Sequence, residues 1–346
     1  MYLRNCWYVA AWGSEVGATP FARTMLDEPI MLYRKADGGI VALEDRCCHR
    51  NLPLAMGKVM GDTIRCGYHG VTFGPDGKVV SVPGQTTLPP GAAVKSYPVI
   101  EKWRWVWVWM GDPAKADPSM IPNWPVMDDP RWIVAPGNAG KPLYIKCNYE
   151  LNIDNVLDLT HVQFTHATTL GGGSQVGEFP VKTERTNRKV RLTRFLYDVP
   201  PTPMFAKYVD AKTVDRWMIA DLEAPSHYIL DAGIVPPGRG EPGHNRQGGV
   251  DFRAIISGTP ETPRTMHLFY AQVRNFAHDD PGLTDVWVEQ FRQVFLEDVM
   301  VMEAQQRVND RHPHAPNIDI NSDTPTIAMR KLLAQLIAEE QRATAA

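Results

Sequence analysis

The chain has 346 residues, and its 36 Lys and Arg against 39 Asp and Glu leave a formal net charge of −3. A charge this small gives no indication of the strongly basic surface that nucleic acids or anionic membranes require, so we expect neither as a partner. No long apolar run and no basic-then-apolar leader is present, so we predict neither a membrane span nor a signal peptide. The odd number of cysteines, five, is more typical of a reducing compartment than of a disulfide framework, and we expect a cytoplasmic protein.

The first third of the chain has the pattern of short strands joined by turns. Residues 29–34 and 40–43 are predicted strands, with Asp37-Gly38-Gly39 as the turn between them. Residues 103–109 alternate Trp with other residues, which places four tryptophans on one face of a strand. Packing within a sheet is a better explanation of this Trp face than ligand binding. The run 111–130, rich in Pro, Asp and Gly, indicates a linker.

Two segments in this region carry residue types that bind metals, Cys47-Cys48-His49 and Cys66-Gly67-Tyr68-His69, and 16 residues separate them. Two thiolates and two imidazoles suit either a tetrahedral zinc site or a 2Fe–2S cluster with sulfur on one iron and nitrogen on the other. Zinc sites of this composition usually take two like ligands from each segment, whereas here each segment supplies one Cys and one His. We therefore predict a Rieske-type cluster whose ligands are Cys47, His49, Cys66 and His69.

A second candidate metal site lies in residues 149–166, which have a helical pattern rich in Asp, Asn and His. On such a helix Asp154, Asp158 and His161 share one face. His166 comes five residues after His161, so both reach one metal only if the helix ends or bulges between them. Two His and one carboxylate form the facial triad of mononuclear Fe(II) oxygenases. The alternative is a pair of ordinary hydrogen-bonded histidines.

The carboxylate that completes this triad is predicted on a helix at 284–309. The apolar stripe of that helix consists of Phe291, Val294, Phe295, Val301 and Met302. Asp298 falls in the middle of the stripe, whereas Glu297 lies to one side. A buried carboxylate needs a compensating partner, which is either a metal or a buried Arg or His. We choose Asp298 as the metal ligand. Asp158 is then predicted to orient His161 through its second ring nitrogen, and Asn155 to border the iron without binding it.

Residues 180–275 hold many short alternating runs with turn clusters between them, and 239–243 is a predicted loop. A further helix is predicted near 325–342. Strands with helices at both ends indicate an α+β layer in which helices grip an antiparallel sheet.

These motifs resemble those of the Rieske non-haem iron oxygenases, the family of aromatic-ring-hydroxylating oxygenase α subunits. The Cys/His pairs fall on the four predicted cluster ligands, and the motif D-x(3)-D-x(2)-H-x(4)-H matches at Asp154, Asp158, His161 and His166. Within the family, the length and several runs are similar to the subgroup of vanillate and dicamba O-demethylases and toluenesulfonate methyl-monooxygenase. The resemblance implies an all-β Rieske domain, 1–117, followed by a helix-grip (StAR-related lipid-transfer-like) catalytic domain with an antiparallel sheet, 118–346.

The resemblance also implies a homotrimer in which the cluster of one subunit passes electrons to the iron of its neighbour through His69, Asp158 and His161. Electrons are expected from NADH through a separate reductase with flavin and a ferredoxin-type 2Fe–2S centre, or through a ferredoxin. With O2 as co-substrate, the implied reaction is monooxygenation of a methyl or other alkyl group of a small aromatic compound. The outcome is O-dealkylation, N-dealkylation or methyl hydroxylation.

Three residues are candidates for the substrate pocket. Asp231 and Ile256 fall near positions at which the demethylases contact a carboxylated substrate, and Trp287 is the third. Neither Asp231 nor Ile256 suits an acid, which leaves a neutral aromatic compound such as an N-alkyl anilide open. An electron-transfer Rieske protein and a zinc-stabilised binding module are the alternatives to an enzyme, and the predicted facial triad argues against the first.

Overall fold

A computed structural model of the chain describes residues 1–171, 176–239, 241–280 and 282–345. Gly240, in the predicted loop 239–243, lies outside the described residues. The chain divides into two compact units, Met1–Ile121 with Thr259–Pro263 and Pro122–Gly258 with Arg264–Ala346. The division falls within the predicted linker, while the predicted domain boundary after residue 117 stays a prediction.

The first unit is built of short antiparallel strands in three sheets. One sheet has the order β1-β11-β10, the second β2-β3-β4-β9 and the third β5-β6-β7-β8. The strands are β1 (Trp7–Trp12), β2 (Phe21–Met25), β3 (Glu28–Arg34), β4 (Ile40–Glu44), β5 (Lys58–Met60), β6 (Thr63–Arg65), β7 (Thr72–Phe73), β8 (Val79–Ser81), β9 (Ser96–Tyr97), β10 (Val99–Lys102) and β11 (Trp105–Trp109). The predicted strands at 29–34 and 40–43 are thereby confirmed.

The tryptophan-rich strand is shorter than predicted. It begins at Trp105, because Trp103 and Arg104 have φ angles of 57° and 64°, which belong to a turn and not to a strand. Trp105 and Trp109 are buried, and their rings pack edge to face against Trp12 and Trp7, with centroids 5.4 and 5.5 Å apart. The indole rings therefore pack between strands, as the sequence favoured.

The second unit contains one large antiparallel sheet and the long helices. Its strand order is β12-β19-β18-β17-β16-β15-β14, and β13 pairs with β19. The strands are β12 (Ile133–Pro136), β13 (Leu143–Ile145), β14 (Lys182–Arg185), β15 (Lys189–Val199), β16 (Val214–Glu223), β17 (His227–Val235), β18 (Val250–Thr262) and β19 (Thr265–Arg274). The helices are α1 (Tyr149–Leu157), α2 (Leu283–Arg311) and α3 (Thr324–Ala345). The predicted α+β class is confirmed.

The two faces of this sheet have different surroundings. Phe252 on β18 packs against Trp287 and Phe291 of α2, with ring centroids 5.7 and 5.4 Å apart. We call this the inner face and the opposite one the outer face. Residues directly opposite each other on paired strands share a face, and side chains alternate along each strand. The register therefore places on the inner face Arg194, Arg216, Met218, Tyr228, Ala232 and Ile256.

The helices differ from prediction at one place. The predictions at 284–309 and 325–342 are confirmed by α2 and α3, but the helix predicted over 149–166 ends at Leu157. Asp158 has non-helical backbone angles, φ −115° and ψ 88°, and its carboxylate accepts a hydrogen bond from the Thr160 amide at 3.0 Å. That contact caps a separate short 3₁₀ helix, Leu159–Gln163. Among the described helices, none combines the length and the apolar character needed to cross a membrane.

Candidate metal centres

The two Cys/His segments form loops with the same backbone hydrogen bonds. In the first, the Cys47 amide donates to the Leu52 carbonyl at 2.8 Å, and the Asn51 amide donates back to the Cys47 carbonyl at 2.9 Å. In the second, the Cys66 amide donates to the Val71 carbonyl at 2.8 Å, and the Gly70 amide donates to the Cys66 carbonyl at 3.2 Å. Each loop thus closes over six residues that begin with a cysteine.

The loops bring like donors together. The Cys47 and Cys66 side chains are buried and interact with each other, whereas His49 and His69 are exposed, with ring centroids 4.7 Å apart. Burial raises the pKa of the Cys47 thiol, and the contact with Cys66 raises it further. Two adjacent buried sulfurs beside two imidazoles fit a cluster with one iron on sulfur and one on nitrogen. The residues present therefore suit the predicted Rieske cluster.

The second centre consists of His161, His166 and Asp298, each of which offers one ligand atom within 4.8 Å of the other two. His166 Nε2 lies 3.1 Å and His161 Nε2 lies 3.6 Å from Asp298 Oδ1. The short 3₁₀ helix ends at Gln163, and the turn that follows brings His166 back beside His161. The helix is therefore interrupted between the two histidines, which lie five residues apart and could not otherwise reach one metal.

Asp298 reaches this centre from the buried stripe of α2 and is only 7% exposed. Its Oδ1 also accepts a hydrogen bond from Asn155 Nδ2 at 2.9 Å, so α1 and α2 meet at this carboxylate. Asn155 therefore borders the centre, as the sequence suggested, and contacts the carboxylate.

The outer nitrogen of each histidine faces an acceptor. His161 Nδ1 contacts the main-chain carbonyl of Asp158, and His166 Nδ1 lies 2.5 Å from Glu297 Oε2. Each Nδ1 therefore carries the proton in the neutral ring, which leaves a lone pair on each Nε2. Two lone pairs and a carboxylate directed at one point repel each other unless a cation lies between them. This donor set fits the 2-His-carboxylate site of non-haem iron.

The electrostatics of His166 agree with that conclusion. Burial alone lowers the pKa of this imidazole, but the hydrogen bonds and charges of Asp298 and Glu297 outweigh burial and raise it. The protein around His166 therefore attracts positive charge.

One predicted contact needs correction, and one contact was not predicted. The Asp158 carboxylate bonds to the amide and hydroxyl of Thr160, so His161 is oriented by the Asp158 carbonyl and not by its carboxylate. Glu297 lies beside the apolar stripe, as expected, but its contact with the ring of His166 was not predicted. Its position next to Asp298 was the available signal, because metal-bound histidines commonly donate to a carboxylate.

The three pocket candidates do not lie together. Ile256 and Trp287 are buried on the inner side of the sheet. Asp231 pairs with Ile219 and Arg253 on the outer face, where Arg246 binds its carboxylate at 2.8 Å. A strand residue on the opposite face cannot line the same pocket, so the prediction for Asp231 is corrected.

Two family models match the chain. Residues 6–98 match the Rieske [2Fe-2S] domain, and residues 145–339 match the vanillate O-demethylase oxygenase C-terminal domain. The first contains all four predicted cluster ligands, and the second contains the His161, His166 and Asp298 centre. The predicted Rieske domain is therefore confirmed.

Individual relatives match over the full length. The toluene-4-sulfonate monooxygenase system iron-sulfur subunit of Comamonas testosteroni is 40% identical, and the alignment covers 100% of both chains. The crystal structure of dicamba monooxygenase bound to 3,6 dichlorosalicylic acid superimposes with a TM-score of 0.89 at 30% identity, covering 98% of this chain and 99% of that one. A structure of dicamba monooxygenase with non-heme iron and dicamba has a TM-score of 0.84 at 28% identity and covers 99% of each chain.

Replacing Asp298 by Ala should remove the mononuclear iron and abolish turnover, because two neutral imidazoles alone leave the site one ligand short. The absorption and EPR spectra of the Rieske cluster should stay unchanged, since its ligands lie in the two cysteine loops and not on α2. Iron analysis and EPR of the purified variant check this. The matched control is Glu289→Ala, which removes an exposed carboxylate of the same helix that pairs with Arg292. Full iron content and turnover in the Asp298 variant would contradict the assignment.

Replacing Glu297 by Gln should weaken iron binding about 10- to 100-fold, because the amide no longer supplies a charged acceptor for His166 Nδ1. Competition with a chelator measures the affinity directly. Glu289→Gln, the same change at an exposed position of α2, should leave it unaltered. An unchanged affinity in the Glu297 variant would mean that this carboxylate does not support the ligand.

Proposed function

The chain belongs to the Rieske non-haem iron oxygenases, with the vanillate O-demethylase oxygenase subunits, and we propose that it oxidises a methyl or other alkyl group of a small aromatic compound. As an oxygenase component it works with other proteins of a multicomponent system. The proposal rests on one observation above all: a 2-His-carboxylate centre stands in the same chain as a Rieske domain.

Each centre has its own ligands in this proposal. Cys47, His49, Cys66 and His69 would hold the 2Fe–2S cluster, which supplies electrons one at a time when bound. His161, His166 and Asp298 would hold the mononuclear iron, which activates O2 when bound. Asn155 holds the Asp298 carboxylate in place by donating its amide hydrogen. Glu297 and the Asp158 carbonyl fix the two rings so that both Nε2 atoms face the same point.

The reaction consumes O2, two electrons and two protons. One oxygen atom enters a C–H bond of the substrate, and the other leaves as water. Where the oxidised carbon is bound to O or N, the hydroxylated product collapses to release an aldehyde, which is net dealkylation. Where the carbon is attached to the ring, the product is a benzylic alcohol.

We place the substrate between the inner face of the sheet and α2, with Ile256 and Trp287 in its wall. Ile256 is 2% and Trp287 is 1% exposed, so both contribute to an apolar, water-excluding surface. Trp287 Nε1 is buried and has no hydrogen-bond acceptor among the described residues. A buried donor of this kind suits a polar atom of a bound substrate.

We further propose that three copies assemble into a ring and that electrons cross from one subunit to the next. The route runs from His69 of one copy to Asp158 and His161 of its neighbour. In support, His69 is exposed, and Asp158 is joined to His161 through its own carbonyl. The Asp158 carboxylate offers an acceptor to the outer ring nitrogen of a cluster histidine.

The electrons are proposed to come from NADH through a reductase that contains flavin and a ferredoxin-type 2Fe–2S centre. We place the protein in the cytoplasm, since all five cysteines are free and the three outside the cluster form no disulfide.

A substrate screen tests the proposed activity. Iron-loaded protein, a ferredoxin-type reductase and NADH are combined with methyl-, methoxy- and N-alkyl-substituted aromatic compounds. We expect O2 uptake that depends on the substrate, with release of formaldehyde or a benzylic alcohol in equal amount. The Asp298→Ala protein is the control. O2 uptake no greater than this control for every compound would refute the proposal.

Replacing Asp158 by Asn should leave both iron centres loaded but slow turnover by about two orders of magnitude or more, because the charged link between centres is lost. Thr160→Val is the matched control, since it removes the hydroxyl contact of Asp158 but keeps its charge. Stopped-flow reoxidation of the reduced cluster reads out the transfer step itself.

Mixed assemblies then test whether transfer is between subunits. Co-expression of the Asp158→Asn chain with a Cys66→Ser chain that lacks the cluster should restore turnover only if donor and acceptor lie on different copies. Equal inactivity of the mixed and the single-variant proteins would contradict the route between subunits.

A further inference from the structure

One glutamine of the catalytic sheet is buried with its amide unpaired. Gln272 on β19 is 1% exposed, and neither its Nε2 nor its Oε1 has a hydrogen-bond partner among the described residues. The large majority of buried polar groups in proteins are hydrogen-bonded, because an unpaired donor or acceptor loses its bonds to water without replacement. An amide that leaves both its donor and its acceptor unused is therefore an exception that needs an explanation.

Glutamines on α2 have a different environment. Gln293 donates to Glu289 at 2.8 Å, and Gln306 donates to Asp310 at 2.9 Å. Gln293 is exposed and Gln306 is half-buried, so water can reach both. Their amides are nevertheless paired within the protein, whereas the inaccessible amide of Gln272 is not.

The contacts of its neighbours on β19 show which surface Gln272 faces. Two residues before it, the ring of Tyr270 packs against Phe295 of α2 with centroids 4.2 Å apart. Two residues after it, Arg274 Nη2 donates to the Thr284 hydroxyl of α2 at 3.1 Å. Side chains alternate along a strand, so Gln272 points to the same side as both neighbours. It therefore lies on the inner face, opposite the part of α2 between residues 284 and 295.

A second unpaired polar group comes from that part of α2. Trp287 is 1% exposed, and its indole Nε1 has no acceptor within the described part of the chain. The ring of Trp287 packs against Phe291, one turn further along the helix, with centroids 5.0 Å apart. The residue that pairs with Gln272 on β12 is Ala135, whose methyl group offers no hydrogen bond. The layer between sheet and helix thus holds two unpaired polar groups in apolar surroundings.

The polar atoms of these two side chains define what a ligand must offer. Gln272 Nε2 and Trp287 Nε1 are donors, and Gln272 Oε1 is an acceptor. An ionised carboxylate or sulfonate has no hydrogen to donate, so it would leave Oε1 unpaired and place a negative charge beside it. A hydroxyl or a primary amide both accepts and donates. Either group pairs the donors and the acceptor together, and an uncharged group is also less costly to bury than an ion.

The position along α2 sets the distance from this polar site to the iron centre. Asp298 follows Phe291 by seven residues on the same helix, which is roughly 10 Å at the helical rise per residue. A benzene ring with substituents at opposite positions, hydrogen-bonded at one end, spans such a distance. An alkyl group at the far end of that ring would then lie beside the metal ligands.

We propose that Gln272, together with Trp287, binds an uncharged substituent of the substrate that both donates and accepts hydrogen bonds, a hydroxyl or a primary amide. The inference rests on the proposed function and names the substrate class of the same pocket. Gln272 selects the substrate by this group and directs the opposite, alkyl-bearing end of the ring towards the iron.

Equilibrium binding to the intact, iron-loaded protein under anaerobic conditions tests the proposal without turnover. Calorimetry compares two matched pairs of compounds, 4-methylphenol with 4-fluorotoluene and 4-methylbenzamide with 4-methylacetophenone. The second member of each pair has nearly the same shape but no N–H or O–H to donate. We expect the first member of at least one pair to bind about tenfold more tightly than the second, since a buried acceptor then gains its partner. The pair that shows the difference identifies hydroxyl or amide as the preferred group.

Variants assign the preference to the two residues. Gln272→Leu has a side chain of similar size without polar atoms, so the preference should disappear while binding of the second member is unchanged. Trp287→Phe removes the indole N–H and keeps an aromatic ring, and should weaken binding of the preferred probe by about tenfold or less. Gln293→Leu, the same change as at Gln272 but at an exposed position of α2, is the matched control and should keep the preference.

Thermal melting separates ligand binding from a structural role of the amide. Since Gln272 makes no hydrogen bond within the described chain, Gln272→Leu should melt at the wild-type temperature or above it. A melting temperature several degrees lower, or a variant that does not fold, would show that the amide stabilises the protein through a partner and would overturn the proposal.

Three binding results would also overturn it: equal binding within both pairs by the wild-type protein, a preference that survives in Gln272→Leu, or tighter binding of 4-methylbenzoate than of 4-methylphenol and 4-methylbenzamide. These results are separate from a failure of the proposed function. That failure would appear as absence of substrate-dependent O2 uptake, whatever the binding data show.

Discussion

Asp298 is an acidic side chain on the buried face of a 29-residue helix, and leaving such a charge uncompensated costs several kcal/mol. Three side chains surround this carboxylate. Asn155 arrives from α1, and His161 and His166 arrive from the segment that follows α1. The two imidazoles have their outer nitrogens committed to Asp158 and Glu297, so their inner nitrogens add lone pairs where positive charge is needed. A cation at this point compensates the carboxylate and both lone pairs together. The packing of α2 on the sheet holds Asp298 in position for it.

The composition of both metal centres was predictable because it depends on residue type and local spacing. A Cys and a His in each of two segments specify a cluster with unlike irons, and no tertiary information is required. Asp298 was predictable for a related reason: helical periodicity alone places it in an apolar stripe, and a charge there needs an explanation. The sheet of the second unit and the two C-terminal helices followed from periodicity in the same way.

The remainder depended on contacts that periodicity does not encode. Asp158 continues a helical pattern in sequence, yet its carboxylate caps the next helix, and that local hydrogen bond ends α1. Glu297 lies off the apolar stripe, and only the position of His166 gives it a role. Asp231 was assigned to the pocket because it falls near a position at which the demethylases contact their substrate, whereas the strand register places it on the outer face, bound to Arg246. A shift of one residue decides which face a strand side chain occupies, and sequence spacing across loops does not fix that register.

The two cysteine loops of the first unit close on themselves through main-chain hydrogen bonds. Each has its fifth residue, Asn51 or Gly70, at a positive φ angle of 60° or 74°, a conformation that these two residue types adopt most readily. The shape of each loop therefore depends on its backbone and on its fifth residue, while Arg50 and Tyr68 are exposed within the loops. Substitution at such exposed sites can change the charge and solvent access beside the imidazoles without disturbing the hydrogen-bonded backbone of the loops. Because these are the quantities that set the reduction potential of an iron–sulfur centre, the driving force for electron flow is adjustable independently of the scaffold.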